Sequence, residues 1–325
     1  MNMKTENFAW RRIIFYVVLF LLVNAVASPP QPVAAQKSST DNPTPREEKI
    51  TVKTDLISLS VSVIDNAGRA VTGLSKNSFN VYDNKELQEI HFFSDEDVPA
   101  SVSIVFDTSG SMSEGKIIQA KEALARFIQT SKDEDEFLLI DFNTRVRLLL
   151  DRTRDSDAIL KKLSYVEPQG NTAFYDAVYL GVEKVSQGSR PRKIVLVISD
   201  GEDNESRYTF KELQGRLRET DVIIYTIGFG GYFQPKGRLS GRETLEELAS
   251  TTGGRAFFPK GVIEMDEAFE RIALEMRRFY SIGYYPSNFV ADGKKHRLKV
   301  KLTLPPGSPR LFVRSRDIYY AGIKQ

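Results

Sequence analysis

Strongly apolar segments alternate with amphipathic segments through the middle of the chain. The apolar segments are SVSIVF, EFLLIDF, KIVLVIS and DVIIYTIGF. Helical periodicity appears in KIIQAKEALARFIQT, DAILKKLSYV, AFYDAVYLGVEKV, FKELQGRLRE and TLEELASTT. Strands that are apolar on both faces and separated by amphipathic helices are typical of a mainly parallel sheet covered on both sides. The pattern therefore predicts a doubly wound α/β domain over residues 99–280.

Both ends of the folded region show the alternation of half-buried strands. Ile57, Leu59 and Val61 are separated by serines, FNVY and LQEIHFF follow as short strand candidates, and RLKVKLTL alternates strictly near the carboxy terminus. Neither end has enough strands for an independent core. We therefore expect residues 50–98 and 281–325 to form one flanking β-domain, with the α/β domain inserted between its two parts.

The amino terminus has the features of an export signal. Lys4, Arg11 and Arg12 precede the apolar run IIFYVVLFLLVNAV, and Ala25-Val26-Ala27 has the small-x-small form of a cleavage site. The run is shorter than the ~20 residues that a spanning helix needs. Residues 1–27 are predicted to be a cleaved signal peptide and 28–49, rich in Pro, Ser and charge, a disordered linker. The protein would be periplasmic or secreted; if the segment stays uncleaved, it anchors the chain to the inner membrane.

The composition of the chain argues against several classes of function. The 325 residues carry a net charge of only +2, and no basic stripe with interleaved aromatic residues is evident, so nucleic acid is not an expected partner. Cysteine is absent, which excludes a disulfide framework and thiol redox chemistry.

The loop DTSGSMSEGK, residues 107–116, fits two chemistries. Gly110 to Lys116 has the spacing of a phosphate-binding loop, but the next residue is Ile117, where such a loop needs the hydroxyl that ligates magnesium. Nucleotide binding is therefore not expected. A phosphatase with Asp107 as nucleophile would need an acid two residues later, where Ser109 stands, and the only histidines, His91 and His296, are poorly suited to a hydrolase.

A hard metal ion explains more of these residues. Asp107, Ser109 and Ser111 offer one carboxylate and two hydroxyls directly after a predicted strand. Thr172 in QGNTAF and Asp200 in VISDGED follow at other predicted strand ends or loops of the same sheet. We predict that these five residues bind one divalent cation, Mg²⁺ or alternatively Mn²⁺ or Ca²⁺.

The five predicted ligands resemble, in their order along the chain, the metal-ion-dependent adhesion site of the von Willebrand factor type A domain. They occur as Asp107-x-Ser109-x-Ser111, then Thr172 in GNTA, then Asp200 in SDGEDN. All five site positions match, and the similarity covers roughly residues 99–280. The flanking segments DNAGRAVTGLSKNSFNVYDN and DGKKHRLKVKL resemble those of exported bacterial proteins called VWFA-related.

The resemblance implies a role for each position. Ser109 and Ser111 would ligate the ion directly, Thr172 would join when ligand is bound, and Asp107 and Asp200 would hold the ion partly through water. A protein partner would supply an Asp or Glu carboxylate as the remaining ligand. We therefore expect a non-enzymatic binding or adhesion module outside the cytoplasm; the alternatives are a metal-dependent hydrolase or phosphatase, and a structural envelope protein whose metal site is not functional.

Overall fold

The computed structural model describes residues 56–112, 114–229, 240–287, 290 and 292–321. The predicted signal peptide and linker lie outside these residues. The strands are β1 (Ile57–Ile64), β2 (Phe79–Asp83), β3 (Glu86–Gln88), β4 (Ile90–Ser94), β5 (Ala100–Asp107), β6 (Glu136–Phe142), β7 (Val146–Thr153), β8 (Arg192–Ser199), β9 (Ile223–Gly228), β10 (Arg255–Phe257), β11 (Tyr280–Tyr284), β12 (Lys295–Leu302), β13 (Phe312–Arg314) and β14 (Ile318–Tyr320). The helices are α1 (Glu114–Gln129), α2 (Ser156–Ser164), α3 (Phe174–Ser186), α4 (Phe210–Arg218), α5 (Gly241–Thr251) and α6 (Val262–Glu275).

The central sheet has the strand order β10-β9-β8-β5-β6-β7. All its pairings are parallel except that of β6 with β7. One apolar core joins the sheet to α1, α2 and α6, and a second joins its other face to α3, α4 and α5. Because β5, β6, β8 and β9 are buried on both faces, their residues form continuous apolar runs. The predicted doubly wound fold is confirmed.

The flanking β-domain contains strands from both ends of the described chain. One sheet has the order β13-β1-β11-β4 and the other β14-β12-β2-β3. Leu59 of β1 faces Ile282 of β11, and Val81 of β2 faces Val300 of β12. These apolar side chains belong to one buried cluster. The predicted β-domain built from both chain ends is therefore present, as two sheets packed on a common core.

The structure departs from the sequence pattern at LQEIHFF and in elements that the pattern did not indicate. LQEIHFF was expected to be one strand, but it contributes to β3 and β4, which pair with β2 and β11 in different sheets. The exposed Glu89 separates the buried Gln88 and Ile90 at this crossing. The antiparallel edge strand β7 and the amphipathic helix α6 were not predicted.

Among the described residues, no helix is long and apolar enough to span a bilayer.

Candidate metal centre

Asp107 and Asp200 lie at neighbouring strand ends. Asp107 is the last residue of β5 and is fully buried. The parallel register places Phe106 of β5 opposite Ile198 of β8, so Asp107 lies beside the end of β8, which Asp200 follows directly. The Ser199 hydroxyl donates to Asp107 Oδ2 at 2.5 Å. The sheet topology thus brings the two predicted carboxylates together.

The loop after Asp107 turns its oxygens toward that carboxyl group. The Ser109 N–H donates to Asp107 Oδ1 at 2.8 Å, and the Ser109 and Ser111 hydroxyl oxygens are 2.9 Å apart. Ser109 is buried, whereas Ser111 is exposed. The three positions therefore form a continuous row of oxygen atoms from the buried strand end to the surface.

Thr172 is held in a loop that is hydrogen-bonded to both of its neighbours. Gln169 N–H donates to the Thr108 carbonyl at 2.7 Å, and Gly110 N–H donates to the Gly170 carbonyl at 3.0 Å. On the other side, Thr172 N–H donates to Asn204 Oδ1 at 2.8 Å. The buried Thr172 thus lies between the loop of Ser109 and the loop that follows Asp200.

Burial controls the electrostatics of the centre. Desolvation raises the pKa of Asp107 to about 6, and the nearby charge of Asp200 acts in the same direction, while hydrogen bonds from Ser109 and Ser199 oppose the rise. Among the ion pairs of the described residues, none involves Asp107 or Asp200. A buried carboxylate without a counter-charge is costly. A bound cation would supply the missing charge.

Ser199 and Asp203 support the centre and were not predicted. Ser199 also accepts a hydrogen bond from Gly201 N–H at 3.0 Å, so it links Asp107 to the turn after Asp200. Asp203 accepts a hydrogen bond from Phe174 N–H at 2.9 Å, and burial raises its pKa. Its carboxylate caps α3, the helix that begins two residues after Thr172. The run of polar residues in SDGEDN was the signal that could have indicated this role.

Two glycines in the centre have no acceptable replacement. Gly170 and Gly201 have φ of +76° and +79°. A Cβ at Gly201 would lie 2.2 Å from the Gly241 carbonyl oxygen, and one at Gly170 would lie 2.6 Å from Thr144 Oγ1. Both the left-handed backbone and the close packing therefore require glycine.

The donor set suits a hard cation. Two carboxylates and three hydroxyls are oxygen ligands of the type that Mg²⁺ prefers. Within the described part of the chain, no group of three or more His, Cys, Asp or Glu side chains could hold a metal ion. The oxygen donors of the five residues therefore fit a hard cation such as Mg²⁺.

Comparison with known proteins identifies the type of domain. The family model described as von Willebrand factor type A domain matches residues 101–271. Inter-alpha-trypsin inhibitor heavy chain H4 of Sus scrofa is 24% identical over 78% of this chain and 27% of its own length. The uncharacterized protein sll0103 of Synechocystis is 24% identical over 56% of this chain and 43% of its own length. The chain thus spans less than half the length of both relatives.

Among solved structures, the chain is similar to a von Willebrand factor type A protein from Catenulispora acidiphila. The TM-score is 0.48 and the sequence identity 13%, over 84% of this chain and 75% of that chain.

Proposed function

Because this chain belongs to the von Willebrand factor type A domain family, we propose that it is an extracytoplasmic, metal-dependent module that binds a protein partner. The observation that supports this proposal best is the hydrogen-bonded cluster at Asp107. There Ser109 and Ser199 donate hydrogen bonds to a buried carboxyl group that has no cationic partner among the described residues, and the Ser111 hydroxyl lies next to that of Ser109.

Asp107, Ser109, Ser111, Thr172 and Asp200 would hold the cation. When bound, Mg²⁺ would supply a positive charge and an open position for an anionic oxygen. The chain's own contribution is to fix the donor atoms. Ser109 N–H and the Ser199 hydroxyl orient the Asp107 carboxylate, while Asn204 fixes the backbone of Thr172. Only two of the five side chains are acidic, so these residues would not neutralise or saturate the cation, and a partner's carboxylate could still bind to it.

A partner Asp or Glu side chain is the expected anionic group. The contact between the cation and one carboxylate covers little surface, so the affinity and specificity for the partner must come from the surrounding loops. These include residues 108–112, 167–173 and 201–208, together with the turn at 143–145. Thr144 Oγ1 of this turn accepts a hydrogen bond from Asn171 N–H at 2.9 Å. We therefore propose that the turn belongs to the same binding surface.

Titration calorimetry with Mg²⁺ tests the metal centre. Wild type should bind one ion, and Asp107→Ala and Asp200→Ala should bind it at least about ten-fold more weakly. Asp157→Ala, which removes an exposed carboxylate from α2, is the matched control and should bind as wild type does. Equal binding by all four proteins would refute the assignment.

A second experiment tests the partner. Capture from envelope extracts should be lost in EDTA, return with Mg²⁺ and fall strongly in Thr172→Ala, while circular dichroism shows that the protein stays folded. Capture that is unaffected by removal of the metal would favour a structural role. Magnesium-dependent hydrolysis of phosphate esters, abolished by Asp107→Asn, would contradict the proposal that the protein is not an enzyme.

A further inference from the structure

The solvent face of β12 carries a row of cationic side chains. Leu298 and Val300 point into the β-domain core. The residues that alternate with them are exposed: Lys295, Arg297, Lys299 and Lys301. Residues two positions apart on a strand are separated by about 7 Å, so the row extends over about 20 Å. We call these four residues the basic row.

The basic row is not engaged in ion pairs within the described part of the chain, although the exposed Asp317 lies beside it, where the Asp317 carbonyl accepts a hydrogen bond from Leu298 N–H at 2.7 Å. Among the ion pairs of the described residues, none includes a member of the row. The adjacent acid Asp292 pairs with Lys294, which is outside the row. Glu86 lies in β3, and β2 separates β3 from β12. That separation is about 10 Å. The four cations of the row are therefore not held in ion pairs with the neighbouring carboxylates that the structure describes.

Aromatic and apolar side chains share the face. Lys299 pairs with Tyr82 of β2, and Tyr82 pairs with Leu87 of β3, so the three residues form a line across the sheet. Lys301 Nζ lies 4.9 Å from the centre of the Tyr82 ring. Leu87 is 59% exposed. The face thus combines point charges, a tyrosine and an uncovered leucine.

We propose that this face docks on a membrane surface containing anionic phospholipid. Lys and Arg side chains attract lipid phosphates, a tyrosine is stable at the level of the headgroups, and a leucine gains by entering the acyl boundary. A hydrated polyanion such as nucleic acid or acidic polysaccharide would satisfy the basic row, but it would leave Leu87 without a role. The combination of charge and exposed apolar surface therefore favours the membrane.

This surface corrects an expectation from the sequence. No basic stripe was evident in the chain, because the cations alternate with core residues and the net charge of +2 conceals a local excess. Pairing of β12 with β2 is what places the cations and Tyr82 on one face. The proposal does not depend on the metal centre.

Co-sedimentation of the full chain with vesicles tests the proposal. Vesicles of phosphatidylcholine alone are compared with vesicles that also contain phosphatidylglycerol. Removal of one cation near an anionic surface lowers binding about five-fold. Lys299→Gln/Lys301→Gln should therefore bind the anionic vesicles about 25-fold more weakly than wild type. Leu87→Gln should also weaken binding, and EDTA should have no effect.

The matched control is Lys161→Gln/Lys162→Gln, which makes the same change of net charge on the exposed side of α2. Its binding should stay close to that of wild type, and thermal melting should show that all variants are folded. The amino-terminal segment is identical in every variant, so differences between them report on the face. Equal losses in both double variants would overturn the proposal. The proposal would also be overturned if soluble polygalacturonate bound wild type but not Lys299→Gln/Lys301→Gln, while the two proteins bound vesicles equally well.

Discussion

At the scale of single residues, the main energetic cost in the proposed metal centre is the burial of the Asp107 carboxyl group. Its carboxyl group accepts hydrogen bonds from Ser109 and Ser199, but these do not offset the loss of water, and the pKa is raised from 3.8 to about 6. Binding a cation requires the ionised form. Proton release and metal binding are therefore expected to be coupled at this residue.

The raised pKa predicts how stability depends on pH without metal. Between pH 4 and 6 the folded protein retains a proton on Asp107 that the unfolded chain has released, so this residue's contribution to stability is lost as the pH rises through 6. The loss by pH 7 is about 2–3 kcal/mol. Urea unfolding in EDTA should show it for wild type but not for Asp107→Asn. Parallel pH profiles for the two proteins would contradict the prediction.

Mg²⁺ should reverse this loss in wild type alone. A ligand that binds only the folded state stabilises it by about 2.7 kcal/mol at a concentration of 100 times its Kd. The gain should be greatest above pH 6, where the proton no longer competes for Asp107. Urea unfolding with and without Mg²⁺ at pH 5 and pH 7 measures the gain. An equal gain at both pH values would show that metal binding does not involve this carboxyl group.

At the scale of elements, α3 connects the helix-capping residue Asp203 to the metal centre. Asp203→Ala should cost about 1 kcal/mol of stability through the lost cap and should also weaken Mg²⁺ binding, because Thr172 lies only two residues before the first residue of the helix. Asp155→Ala removes an equivalent cap from α2, where Asp155 accepts from Ala158 N–H at 3.0 Å. Denaturant unfolding should show similar losses of stability in the two variants. Calorimetry should show an unchanged Mg²⁺ affinity in Asp155→Ala and a weakened one in Asp203→Ala.

Some elements and site residues could be predicted from the sequence, and others could not. Strands buried on both faces, such as β5 and β8, have apolar runs that leave little choice of structure, and the oxygen ligands follow them directly. Ser199 could not be recognised, because its contact with Asp107 depends on the pairing of two strands that are far apart in sequence. LQEIHFF was misread for a similar reason. Only Glu89 lies between β3 and β4, and no turn residue marks the point at which the chain changes sheets.

At the scale of the whole molecule, buried ion pairs join the α/β domain to the β-domain. Glu275 at the end of α6 is 3% exposed, and its carboxylate contacts Arg255 of β10 at 3.1 Å and Arg314 of β13 at 2.5 Å. Arg316 donates to the carbonyls of Thr220 and Ser58, one in each domain. The two domains are therefore linked through groups that are costly to leave unpaired.

Glu275→Ala should destabilise the protein strongly, because two largely buried guanidinium groups lose their carboxylate. The expected loss is about 3 kcal/mol. Glu270→Ala removes an exposed carboxylate from the same helix and should cost less than about 0.5 kcal/mol. Denaturant unfolding of both variants measures the difference. A loss of equal size in both would mean that the linkage contributes little.

The last prediction concerns dependence between the two chain ends. Deletion of residues 290–325 removes β12, β13 and β14, so β2 loses its pairing with β12 and the shared core loses Leu298 and Val300. Residues 57–94 should then unfold, while the α/β domain keeps both of its own cores. Limited proteolysis with mass spectrometry should find cleavage within 57–94 and protection within 100–275. Deletion of residues 322–325 alone is the control and should leave both regions protected. Continued protection of 57–94 in the longer deletion would refute the dependence, because those residues would then fold without their carboxy-terminal partners.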